Sequence, residues 1–433
     1  MKKNGFTLVE ITVCVVLLVT IFLLVVPKVN TMINNKKKNA YNSLISTVKD
    51  AAQAYVYLNV NIVDDAIESQ GYYEVSIRTL QENELLENKL ENPLTGKNIP
   101  STSIVKIIKN NEEYIYKFSL DYQYLLEHII DLYSSEETRI SNGLKKDNTP
   151  DQNIRYYGSN PNNYVSFNNE LWRIIGVFGN NVKLVRSEKL GNLSWDSSES
   201  SINGGVGINQ WGESKDADGN EYAGADLQVY LNKMYYGGTS VTCYNGQNNQ
   251  TTTCPTNTLD NTAKALIDNH TWNTGAPNHS TLYNSTTQSY DTVEFYKAER
   301  GTVNGKICSS GTYCNDTVTR TTEWTGYIGL PYVTDYAYAS SENDCNTKID
   351  QSSTYKCKNN NWMHRSTSTW YMSPYAIPYN ATSVWYVYGD GSSGLSLAAD
   401  ALSAFPTIYL KSNVIIESGN GTSSSPYILK AGL

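Results

Sequence analysis

Three observations predict an α+β protein in two parts. An apolar run from Phe6 to Val26 leads into an amphipathic helical pattern, short strand-like runs follow it, and all eight Trp lie beyond residue 170. The expected architecture is a long N-terminal membrane and spine helix with a small β-sheet, followed by a loop-rich α+β domain with a core of its own. The length of 433 residues, 40% apolar, allows two or three domains.

The net charge of −8 and pI near 5.2 argue against general nucleic-acid binding through a basic surface. Tyrosine is abundant, 34 residues against 7 Phe. With many Asn, Ser, Thr and Gly, it suits the wet, hydrogen-bonding faces of extracellular domains.

As a helix, Phe6 to Val26 would be about 30 Å long, enough to span a bilayer. Thr7, Glu10, Thr12 and Thr20 interrupt it, and no small-residue cleavage site follows it. Lys2 and Lys3 before the run are balanced by Lys28, Lys36, Lys37 and Lys38 after it, so positive charge alone leaves the orientation open. A carboxylate at Glu10 costs about 2.5–3.5 kcal/mol at a helix centre in lipid and less near an end. It either reaches headgroup water or pairs with an amine of another subunit. Pro27 removes a backbone donor, either loosening the helix or marking the membrane boundary.

The run Lys2-Lys3-Asn4-Gly5-Phe6-Thr7-Leu8-Val9-Glu10-Ile11 resembles the prepilin leader of type IV pilins, pseudopilins and their Gram-positive competence relatives. The resemblance implies cleavage between Gly5 and Phe6 by a prepilin peptidase and N-methylation of Phe6. It also implies an assembly role for Glu10, and it gives Pro27 a common family position. Residues 1–5 are then the leader, 6–26 the transmembrane helix and 27–120 a pilin-like spine with a small sheet.

Within 27–120, Val29, Met32, Ile33, Tyr41, Leu44, Ile45, Val48, Ala51, Ala52, Tyr55 and Val56 recur mainly at steps of three and four, the period of an amphipathic helix. Asn92-Pro93-Leu94-Thr95-Gly96 reads as a turn, and Ser103–Lys109 and Tyr114–Leu120 as a hairpin against the spine. Residues 121–150 read as a connecting helix and a polar linker ending in Lys145-Lys146-Asp147-Asn148-Thr149-Pro150, and 151–433 as the Trp-rich extracellular domain. In that domain Tyr164–Asn168, Leu171–Val177, Val182–Arg186, Val384–Tyr388 and Thr407–Leu410 read as strands, Asp226–Tyr236 and Leu259–Asn269 as helices.

Besides Cys14 in the apolar run, six cysteines fall as neighbours: Cys243 and Cys254, Cys308 and Cys314, Cys345 and Cys357. Sequential pairing is favoured, because each pair staples a polar loop in an oxidising compartment. Other connectivities, free thiols and a zinc site are the alternatives; no C-x-x-C spacing supports zinc.

His128, His270, His279 and His364 show no metal spacing, and Gly391-Ser392-Ser393-Gly394 misses the nucleophile-elbow pattern, so no enzyme, metal or cofactor is expected. Asp216-Ala217-Asp218-Gly219-Asn220-Glu221 reads as a solvated turn more than a Ca²⁺ loop. Trp324, Trp362, Trp370, Tyr371, Tyr375 and Trp385 are candidates for an aromatic platform binding a surface glycan or protein; core packing is the favoured reading of the same residues.

The segments Asn163–Phe167, Leu171–Val177 and Phe405–Lys411 resemble Gram-positive surface domains related to C-type-lectin-like folds. The Glu-Pro-Asn, Gln-Pro-Asp and Trp-Asn-Asp signatures of calcium-dependent sugar binding are absent. The expectation is a single-pass membrane protein, a minor pilin-like subunit that packs on other pilin-like subunits and displays an adhesive domain. The alternative is an anchored receptor outside any filament, with an extracellular hydrolase third.

Overall fold

The computed structural model describes residues 36–37, 39–94, 96–110, 113–119, 123–197, 210–215, 221–278, 282–303, 306–307, 322–350, 356–375 and 382–432. Gly5, Phe6, Glu10 and Pro27 lie outside them. No helix among the described residues is long and apolar enough to cross a membrane. The chain is mixed α+β and divides into two compact units, Met1–Gln123 with Leu433 and Tyr124–Gly432.

In the first unit a helix runs over residues 39–58. Val48, Ala52 and Val56 recur every fourth residue, with Ala51 and Tyr55 beside them, and all are buried. The chain bends at Asn59 and continues as the helix Val60–Gln70, which stops at Gly71 with φ 86°, a left-handed cap that favours glycine. The helix packs on an antiparallel sheet ordered Tyr73–Ser76, Ile104–Asn110, Glu113–Ser119. Inward residues Val75, Val105 and Ile107 are buried while their neighbours are more exposed, the period-two pattern of a half-buried sheet. Between them the short helix Ile77–Glu82 is capped by Ser76, whose Oγ accepts the Thr79 amide at 3.0 Å. The hairpin expected at Ser103–Lys109 and Tyr114–Leu120 is therefore present, displaced by one residue at each strand end.

In the second unit the central sheet runs Ile328–Gly329, Thr407–Leu410, Asn181–Arg186, Glu170–Phe178, Tyr164–Phe167, Tyr427–Ala431, Val414–Ser418. Its pairs are antiparallel except Tyr427–Ala431 with Tyr164–Phe167, which is parallel. The far half of Glu170–Phe178 also pairs with Ile154–Tyr156, which pairs with Leu144–Lys146. This crossing needs Gly176, where a Cβ would lie 2.1 Å from the Ile154 carbonyl oxygen. A second sheet runs Asn192–Leu193, Leu402–Ser403, Thr369–Pro374, Ser383–Val387, Ser393–Leu397. The helical stretch expected from Asp226 begins as α-helix and becomes π-helical over Tyr230–Tyr236. Asn261–Leu266, Thr292–Glu299 and Val333–Tyr338 are further helices.

The structure corrects the expected boundary at residues 145–150. Leu125, Leu126 and Ile129 of the helix Leu125–Ser134 are buried in the second unit's core, and Lys145 and Lys146 lie in a strand. The next residues form a closed loop on Asp147. Its Oδ1 accepts from Thr149 Oγ1 at 2.6 Å and the Asn153 amide at 3.0 Å, and its Oδ2 from Asn153 Nδ2 at 3.0 Å. The polar string that reads as a linker thus contains a buried acceptor, Asp147.

Candidate functional site

The candidate aromatic residues lie in the core, the reading that the sequence favoured over a platform. Trp370 and Trp385 are wholly buried, Tyr371, Trp362 and Trp324 nearly so, and only Tyr375 is half-buried. Each indole of this set ends on an acceptor from a distant segment: Trp362 on the Tyr156 carbonyl (2.8 Å), Trp370 on Leu193 (2.8 Å), Trp385 on Pro277 (2.9 Å) and Trp324 on Glu213 Oε2 (3.1 Å). A buried indole fills a large volume and has one donor to satisfy, so these residues tie segments together. Trp385 lies 4.8 Å from Phe295, 5.1 Å from Tyr290 and 5.8 Å from Tyr375 between ring centroids. Trp324 belongs to another cluster, 6.3 Å from Trp211, with its ring against Gly326, where a Cβ would fall 2.0 Å from it.

Cys243 bonds Cys254 and Cys345 bonds Cys357, as the sequential pairing requires. Cys14, Cys308 and Cys314 lie outside the described residues, as do His279 and Asp216 to Asn220. No group of three or more His, Cys, Asp or Glu among the described residues is placed to hold a metal. His128 Nε2 lies 2.8 Å from Tyr427 Oη, and burial pushes its imidazole down to about 4. His270 stacks on Tyr409 at 3.7 Å and meets Asp268 Oδ2 at 3.2 Å; burial lowers its value against the pull of that carboxylate. Ser392 is held by Asp390 Oδ1 in a turn, with no histidine partner among its described hydrogen bonds. The depression between Ser194, Asp226 and Cys243 admits about 10 Å³, the space of one water.

The densest chemistry is a buried ion network. Arg155 donates through Nε to Asp147 at 2.8 Å and through Nη1 to Asp335 at 2.5 Å, and Lys183 donates to the other Asp335 oxygen at 2.6 Å. All four side chains are at most 1% exposed. Asp335 also accepts the Tyr332 amide at 2.9 Å, which caps the helix Val333–Tyr338. Burial opposes its charge, yet Lys183 and Arg155 hold its carboxyl below the usual range. Burial pushes the Lys183 ammonium down to about 8 despite Asp335. Its Nζ sits among the rings of Tyr332 (4.2 Å), Phe178 (5.3 Å), Tyr409 (5.3 Å) and Trp272 (5.6 Å). With no access for a substrate, this network does cohesive work, tying two strands, a loop and a helix together. Sequence reasoning missed it. The signal was a single charge inside each of two apolar strand runs, Ile154-Arg155-Tyr156 and Val182-Lys183-Leu184-Val185.

Glu299, wholly buried beside this network, accepts from the amide and hydroxyl of Thr334, and burial pushes its carboxyl from 4.5 up to about 7. The folded chain thus keeps a proton that the unfolded chain releases. The stabilisation linked to that proton is full below about 4.5 and is lost as the pH rises to about 7. His128, His270 and His364, all depressed, act in the opposite sense. The expected outcome is that Glu299→Gln gains stability relative to the parent between these pH values and is level above them, in chemical unfolding at stepped pH. A pH-independent difference would contradict the assignment.

No protein-family model, curated protein or solved structure matches this chain.

Proposed function

We propose that this chain is a prepilin-like surface subunit. A prepilin peptidase cuts it between Gly5 and Phe6, it assembles through its N-terminal helix with other pilin-like subunits, and it displays the larger unit outside the cell. The observation that carries the reading is the sequence Gly5-Phe6-Thr7-Leu8-Val9-Glu10 at the head of the apolar run. The helix over 39–58 packed on an antiparallel sheet supports a pilin-like arrangement of the first unit. The two disulfides suit an oxidising, extracytoplasmic location for the second. Its mostly antiparallel sheets are compatible with a C-type-lectin-like arrangement and an adhesive role. The bulk of this unit favours a minor or tip position over the main filament repeat.

Glu10 is the assembly residue in this reading, its carboxylate pairing with the terminal amine of a neighbouring subunit in lipid. With the pair worth more than ~1.4 kcal/mol, Glu10→Ala lowers the amount recovered in sheared filaments at least about tenfold, while the membrane pool is unchanged. Undiminished incorporation of the variant would sink this role. The rival, an anchored receptor that never enters a filament, keeps Met1–Gly5.

A further inference from the structure

The outer strand of the first unit's sheet, Glu113–Ser119, has a neighbouring strand on one side only among the described residues. It pairs with Ile104–Asn110 along its whole length with no break in register, and it contains no proline. Among the described residues no backbone hydrogen bond reaches it from elsewhere. Every second residue of an antiparallel edge strand turns its N–H and C=O away from its partner, so a regular, unbroken edge is a template for a further strand.

The two faces of this strand differ. Tyr114, Tyr116 and Phe118 pack on the first unit's core, whereas Glu113, Ile115, Lys117 and Ser119 are exposed on the other face. Ile115 is 38% exposed, unusual for a large aliphatic side chain in a strand. On that outer face the register sets Ile115 beside Ile108 and Lys117 beside Lys106, whose ammonium sits 3.7 Å over the Tyr72 ring. Like charges directly opposite across strands are unfavourable, so a carboxylate arriving on the open side of Lys117 would relieve this contact.

The order Glu113-Tyr114-Ile115-Tyr116-Lys117 is acid, aromatic, aliphatic, aromatic, base, and it complements its own reverse. We propose that the first unit pairs edge to edge with a second copy of this chain, the two strands antiparallel and centred on Ile115. Each Glu113 then lies opposite the other copy's Lys117, Tyr114 opposite Tyr116, and Ile115 opposite Ile115. A two-fold contact must be self-complementary, and this strand meets that condition in charge and in apolar content. The two three-stranded sheets become one, with Ile108 and Ile115 of both copies in a continuous apolar row on the outer face. The pairing goes beyond the filament reading and does not rest on it, since it needs neither cleavage after Gly5 nor the Glu10 carboxylate.

The test measures the dimer dissociation constant of the full chain in detergent, by sedimentation velocity across a dilution series. The parent is expected to dimerise. Glu113→Lys and Lys117→Glu each turn both cross-strand pairs into like-charge contacts, and each is expected to weaken the dimer at least about tenfold. An equimolar mixture of the two variants restores opposite charges at every contact and is expected to dimerise as the parent does, which also shows that both variants fold. A parent that stays monomeric would overturn the proposal. So would single variants that associate as the parent does, the outcome of association through the apolar run, or a mixture that dimerises no better than its components.

Discussion

Asp335→Ala is expected to destabilise the second unit by about 3–5 kcal/mol, the usual cost of removing one partner from a buried ion network. The substitution strands Lys183 Nζ and Arg155 Nη1, 2.6 and 2.5 Å from the deleted oxygens, where neither meets water. It also uncaps the Tyr332 amide. Arg155 already carries a buried Nη2 without a partner, so the remaining Asp147 contact leaves it further undersatisfied. All eight Trp lie in this unit, so guanidinium unfolding followed by Trp fluorescence reads it without the first unit. Adding Lys183→Met to Asp335→Ala is expected to recover part of the loss, because a buried uncompensated charge is replaced by an apolar chain of similar length. A loss below ~1 kcal/mol, or a double variant worse than the single, would contradict the view that these charges are mutually neutralising.

Trp385→Ala is expected to cost about 3–5 kcal/mol by the cavity it leaves among Phe295, Tyr290 and Tyr375. The Pro277 carbonyl loses its donor as well. Tyr388→Ala, at a residue 40% exposed in the same sheet region, is expected to stay within about 0.5 kcal/mol. The pair separates core from recognition surface. If Trp385 belonged to a ligand platform, its removal would leave the unfolding midpoint in place and abolish binding instead.

These two residues show what the sequence made legible. Aromatic and β-branched runs predicted the strands at Leu171–Val177, Val182–Arg186 and Thr407–Leu410 because their burial on a sheet repeats locally. The hairpin after residue 103 was legible from two alternating runs around Asn110-Asn111. Cysteine spacing gave the pairings of Cys243 with Cys254 and Cys345 with Cys357. The partners of Asp335 were not legible, since Arg155 and Lys183 are 180 and 152 residues away and their meeting is decided by sheet order. The insertion of Tyr427–Ala431 beside Tyr164–Phe167 was hidden for the same reason. The error at Lys145–Pro150 had a different cause: local polarity says nothing of whether an Asp is solvated or encircled by donors, as Asp147 is. For the aromatic candidates, residue type favoured core over platform, and burial settled it.

The central claim concerns the address written in the first residues, and intact and N-terminal peptide mass analysis of the protein from its native membrane fraction tests it most directly. The expected result is a chain that begins at Phe6 and carries one added methyl group. A chain that still carries Met1 to Gly5 would contradict it and leave the anchored receptor as the better reading.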